Sequence, residues 1–175
     1  METDLIALTQ TRPALSSSLA SARRLKARRR RQSYAGKLQI DLASRSEREL
    51  FKWFLACLLF GKPIQTEIAE QAYRELVAAG LTSPRAILRA GWDRIVFLLD
   101  RAHYVRYDFS TATKLLEVCA ELTRHHGTLT KLLSSARTPS ELSRMLQQFK
   151  HVGPVTARIF LRDVRPIWFS RAAGR

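Results

Sequence analysis

The chain has 175 residues, enough for one ordinary domain, which at about 150 residues buries roughly 68–70% of its unfolded surface with no metal or disulfide. Thirty Lys and Arg against fifteen Asp and Glu leave a formal charge of +15, which works against compactness and favours a polyanionic partner, nucleic acid first. Two cysteines provide no cluster for zinc or iron–sulfur, and the longest apolar run, Trp53 to Phe60, is far short of the ~20 residues that span a bilayer.

The basic excess is spread over the whole chain. Residues 1–32 hold eight basic and two acidic side chains, and residues 33–175 hold twenty-two and thirteen. Residues 1–33 end in Arg23-Arg24-Leu25-Lys26-Ala27-Arg28-Arg29-Arg30-Arg31, a like-charge block with little apolar surface, and are expected to be a disordered basic arm. Such an arm tracks phosphates non-specifically, is a solvated tail, or reflects a mistaken start of translation. Glu2 and Asp4 argue against a transit peptide, a segment type poor in acids. The expectation is a soluble intracellular protein, cytoplasmic and nucleoid-associated or nuclear, in which Cys57 and Cys119 are buried reduced thiols. Nothing in the sequence requires a dimer, so a monomer is expected.

From Ser44 onward the apolar spacing is helical. Ser46 and Glu49 form a capping box for a helix to about Phe60 that is apolar on nearly every side and should be central. Gly61-Lys62-Pro63 breaks the chain. Ile64, Ile68, Ala72, Leu76 and Val77 then stripe a second helix ending at Gly80. Ser83-Pro84 opens a short helix closed by Gly91, and Trp92 to about Ala102 carries the next.

The stretch from His103 to Asp108 interrupts the period with aromatics and a cation. Asp108 or Ser110 can cap the long helix that runs to His125-His126-Gly127. Residues 129–136 form a further turn, and Thr138-Pro139-Ser140-Glu141 starts a helix to about Gln148. No period-2 segment competes, so the fold is read as all-α, with about seven helices and no internal repeat.

That last helix, the turn Phe149-Lys150-His151-Val152-Gly153 and a helix beginning at Pro154 make a helix-hairpin-helix. Gly153 permits a conformation or close approach that a Cβ resists, and Pro154 loses no hydrogen bond at the first helical position. The second helix then offers N–H groups of Val155, Thr156 and Ala157 at its positive end, where a phosphate is the natural occupant. Lys150 and His151 in the turn, with Arg158 and Arg162 beyond it, add positive charge.

His151-Val152-Gly153-Pro154-Val155-Thr156-Ala157 resembles the hairpin of the HhH-GPD superfamily of base-excision DNA glycosylases, which includes endonuclease III and 3-methyladenine DNA glycosylase II. Residues 47–161 also resemble its six-helix barrel in helix order and spacing. The resemblance divides the chain into the arm 1–33, a glycosylase-like helical domain 34–168 and a short tail 169–175. It implies double-stranded, damaged DNA as partner, flipping of the damaged nucleotide, and a hairpin that grips the backbone beside it through Lys150, His151, Val152, Gly153, Pro154, Val155, Thr156 and Arg158. It further implies potassium or sodium at the main-chain carbonyls of Gln147, Phe149 and His151. Lys62 falls where the family places a residue that probes the gap left by the flipped base, which is also an ordinary place for a solvated loop lysine.

The family pattern is incomplete. Val155 stands where lyase members carry a nucleophilic lysine, so any activity should be that of a monofunctional N-glycosylase. The catalytic aspartate expected about twenty residues past the hairpin is not found: Asp163 comes too early, and no acid follows it, so the catalytic residue is unknown. The helices that complete the second domain, and the four cysteines that hold an iron–sulfur cluster in some members, are not matched. A truncated product and a binding-only relative would both read this way.

For the remaining candidates two readings stand side by side. Tyr104, Arg106 and Tyr107 line a base pocket or close a helix corner. Trp92 and Trp168 read as core or docking residues, Asp108 as a helix cap and Asp163 as a surface ion-pair partner. His125-His126 suits a helix C-terminus and lacks the spaced partners of a metal site.

Overall fold

A computed structural model of the protein describes residues 33–169; the basic arm through residue 32 and residues 170–175 lie outside the described residues. The fold is all-helical, with eight α-helices and no strand among the described residues. They are α1 (Tyr34–Lys37), α2 (Glu47–Phe60), α3 (Thr66–Ala78), α4 (Pro84–Arg101), α5 (Asp108–His125), α6 (Leu129–Ser135), α7 (Pro139–Leu146) and α8 (Pro154–Trp168). A 3₁₀ turn at Leu42–Ser44 precedes α2. The sequence did not announce α1. Its division of 84–101 at Gly91 holds: Gly91 is non-helical at φ 73°, ψ 173°, so α4 is two helical stretches joined at a kink.

The start signals were mostly accurate. Ser46, Ser83, Thr128 and Thr138 each accept from the N–H three residues on. Ser46 and Glu49 do not complete a capping box, because the Glu49 carboxylate accepts from Asp41 N (2.8 Å) and pairs with Lys52 (2.8 Å). The N-terminus of α6 is satisfied from afar: the Glu47 carboxylate accepts from Leu129 N (2.9 Å), Thr130 N (2.8 Å) and the Thr130 hydroxyl (2.7 Å). Neither Asp108 nor Ser110 is the N-cap of α5. That place belongs to Tyr107, and the Asp108 carboxylate accepts from the adjacent Phe109 N.

As its composition predicts, α2 runs through the core. Leu50, Phe51 and every residue from Trp53 to Leu59 are buried, including Cys57. It packs against α3, α6 and α8. The indole of Trp53 donates to Phe160 O of α8 (3.1 Å), and Phe54 meets Phe160 edge-on at 5.5 Å between centroids. Cys57 and Cys119 are both buried and free, and burial pushes the Cys119 thiol up to about 12. No helix among the described residues is long and apolar enough to cross a membrane.

One expectation fails on tertiary packing. Asp163 is buried, with its carboxylate accepting from Ala35 N (2.8 Å) in α1 while Arg162 donates to it (3.2 Å). It is therefore the tie between the first and last helices, not a surface ion-pair partner. Trp92 is 38% exposed, which removes the core alternative and leaves the docking one.

The tie gives a prediction. Asp163→Ala leaves the Ala35 N–H buried and unpaired and should destabilise the fold by about 2 kcal/mol in urea titration, whereas Arg162→Ala, at an exposed partner, should cost less than ~1 kcal/mol.

Candidate nucleic-acid interface

The hairpin is built as the sequence suggests, with one change in where the turn is made. Phe149 N donates to Leu146 O (3.3 Å) and Val152 N donates to Phe149 O (3.0 Å), closing the chain on itself. Phe149 and Val152 are buried anchors, and the Phe149 ring lies 6.5 Å from Phe54 and 5.6 Å from His126. The left-handed residue is His151, at φ 70°, and not Gly153, which is extended at φ −88°, ψ 176°. Gly153 matters through its missing side chain: a Cβ there would meet nothing within 4 Å, so the N-terminus of α8 stands open to an approaching group.

That N-terminus is bare. No side chain caps it and no acid occupies its first turn. Ala157 N already donates to Gly153 O (3.1 Å), so the open donors are the N–H groups of Val155 and Thr156, one fewer than expected. The Thr156 side chain is not among them. It is buried, and its hydroxyl packs where a Cβ on Gly61 would overlap it. This contact sets the loop after α2 against the start of α8 and brings Lys62 to the hairpin.

The two meet at a cleft of about 460 Å³. Gly61 and Lys62 form one wall, His151 and Gly153 to Thr156 a second, and Ser110, Thr113 and Lys114 of α5 the third. No carboxylate is among these residues. Lys114 was not singled out in the sequence. It is only 4% exposed, and its ammonium donates to Leu58 O (2.8 Å), an orphan carbonyl at the end of α2. Burial, and then the nearby Lys62, pull its pKa down to about 8. The signal was present: position 114 falls on the buried stripe that carries Thr111, Leu115, Val118 and Leu122.

Lys62 lies 5.4 Å from the centre of the Tyr107 ring, with Arg106 at 5.5 Å from the same ring. Tyr107 is half-buried and Arg106 exposed. Tyr104 lines neither the cleft nor the groove described below. It is fully buried, donates to Leu59 O (2.8 Å) and closes the helix corner, and burial pushes its hydroxyl up to about 12.

Lys150 and His151 of the hairpin are both held by α5, which the sequence did not foretell. Lys150 donates through its backbone N–H to Glu121 (3.1 Å) and through its ammonium to Glu117 (3.1 Å), and the His151 ring contacts the other Glu117 oxygen. Hydrogen bonds from His151 and Lys150 hold the Glu117 carboxyl below the usual range. Arg158 faces elsewhere, in a second groove of about 380 Å³ between α7 and α8 with Arg162, Arg165, Ser140 and Ser143. Of the three carbonyls expected to hold a monovalent cation, that of Phe149 already accepts from Val152 N, which leaves it one lone pair. No group of three or more His, Cys, Asp or Glu suited to a metal occurs among the described residues.

No family model matches the chain, and neither a curated protein nor a solved structure matches it significantly.

Two predictions arise here. Gly61→Ala, at an unstrained helix C-cap, should destabilise by ~1–3 kcal/mol through overlap with Thr156, and adding Thr156→Ala should restore much of the loss in a double-mutant cycle. For Lys114, the folded pKa of about 8 lies below its ordinary 10.5, so between these values the unfolded chain binds more protons and stability rises with pH. Urea midpoints of the native protein, referred to Lys114→Met, should therefore climb from pH 8 to pH 10.5 and level off at either side.

Proposed function

We propose that the protein binds double-stranded DNA through this hairpin, as a relative of the HhH-GPD base-excision glycosylases. The carrying observation is the cleft. An uncapped helix start, Lys62 and Lys114 face a common space with no carboxylate among its lining residues, which is the chemistry of a phosphate site on a chain of net charge +15. Arg158, Arg162 and Arg165 extend positive charge along the outer face of α8. A monovalent cation, where bound, would be held by the carbonyls of Gln147, Phe149 and His151 and would add positive charge beside the phosphate.

Glycosylase chemistry on this scaffold would be monofunctional, because Val155 supplies no amine. A specific observation favours a second reading, a non-catalytic DNA-binding or repair-complex module. No acid lines the cleft, and Asp163 is committed to Ala35 and Arg162.

Single-turnover base release separates the two, using short duplexes with uracil, alkylated adenine, an oxidised pyrimidine or a mismatch, and recording binding in parallel. Release of any base supports the enzyme; binding to all with no release supports the module; failure to bind any duplex refutes both. Affinity should fall steeply with salt, and Lys62→Ala should lower the slope of log K against log salt by about 1.

A further inference from the structure

One pair of exposed aromatic side chains adjoins the cleft. Phe109 is 59% exposed and Trp92 38%, yet they are not loose on the surface. Their ring centroids lie 5.2 Å apart with planes inclined by 40°. The indole N–H of Trp92 donates to Thr113 Oγ1 (3.1 Å), and that hydroxyl donates to Phe109 O (3.0 Å). One threonine thus fixes the orientation of the indole. The bend at Gly91 immediately precedes Trp92.

Their position matters as much as their exposure. Phe109, Ser110, Thr113 and Lys114 lie along the start of α5, and the last three also line the cleft. The aromatic pair is therefore the rim of the presumed phosphate site, continuous with it through Thr113. Exposed aromatic faces, one of them oriented by a hydrogen bond, beside a cationic cleft suit a flat ring that arrives attached to a phosphate. A base inside a duplex is stacked on both sides and has no free face to offer, whereas an unpaired nucleotide has two.

We propose that Trp92 and Phe109 form a stacking platform for an unpaired base, so that the preferred substrate is duplex DNA carrying a single-stranded extension. Its phosphate sits against Val155 N–H, Lys62 and Lys114, and its base stacks on the pair. This rests on the DNA-binding reading above and narrows its substrate class.

The experiment titrates the full chain with a blunt duplex and with the same duplex bearing a short single-stranded overhang, reading affinity and tryptophan fluorescence. The overhang should tighten binding about tenfold, the equivalent of ~1.4 kcal/mol and within the range of one stacked base, and should quench fluorescence. Phe109→Ala should abolish both the preference and most of the quenching while the blunt duplex binds as before. Phe109→Leu, which keeps apolar bulk without a ring face, should behave like Phe109→Ala. Trp92→Phe should remove the quenching and retain part of the preference. Equal affinity for both duplexes in the native protein, or a preference that survives Phe109→Ala and Phe109→Leu, overturns the platform while leaving duplex binding intact. Absence of binding to either duplex overturns the DNA-binding reading and the platform with it.

Discussion

The close approach of Gly61 to Thr156 is the constraint on which the candidate site depends. A buried helix, α2, must end where α8 begins, and the two backbones come together only because one residue lacks a side chain. The Trp53–Phe160 hydrogen bond and the Phe54–Phe160 contact fix the same two helices farther along. With that register set, Lys62 is delivered to the hairpin and the end of α2 is delivered to Lys114. The cleft is thus a by-product of how the core is assembled.

The hairpin is tied down in a related way. Its turn buries Phe149 and Val152, the Lys150 ammonium and the His151 ring meet Glu117, and the Lys150 backbone N–H donates to Glu121. Pairing with Glu117 reduces the charge that Lys150 can offer a ligand. On the reading proposed above, an anion would be met mainly by backbone donors, by Lys62 and by Lys114. Arg158 serves the other side of α8, so the helix presents charge on two faces.

Much of the fold was legible in the sequence because its signals are local. Serine and threonine caps, glycine stops and the unbroken apolarity of residues 50–59 depend on neighbours a few positions away. The hairpin was legible for the same reason, as was the open helix start beside Gly153. What stayed hidden depends on partners far along the chain. Asp163 reads as a surface acid until α1 folds onto it, the two readings of Tyr104 are separated only when its hydroxyl finds Leu59, and the partner of Lys150 is unseen until α5 brings Glu117. Lys114 could have been noticed as a cation on a buried stripe, but its carbonyl partner lies 56 positions away. Gly153 shows a subtler gap: the open approach beside it was legible, yet the left-handed angle belongs to His151.

The bare end of α8 also has a meaning for the economy of the whole molecule. Ser33, Ser46, Ser83, Thr128 and Thr138 close the starts of five other helices with their own side chains. At α8 nothing in the packing forbids the same solution, since a side chain at position 153 would project into open space. An aspartate there would supply both a cap and a charge suited to the helix dipole, with a gain of about a few tenths of a kcal/mol over glycine. It would also occupy the place that the proposed reading gives to an incoming anion. On that reading glycine here is stability forgone to keep a surface receptive, and a search for stabilising substitutions would be drawn to the very residue where success silences the site.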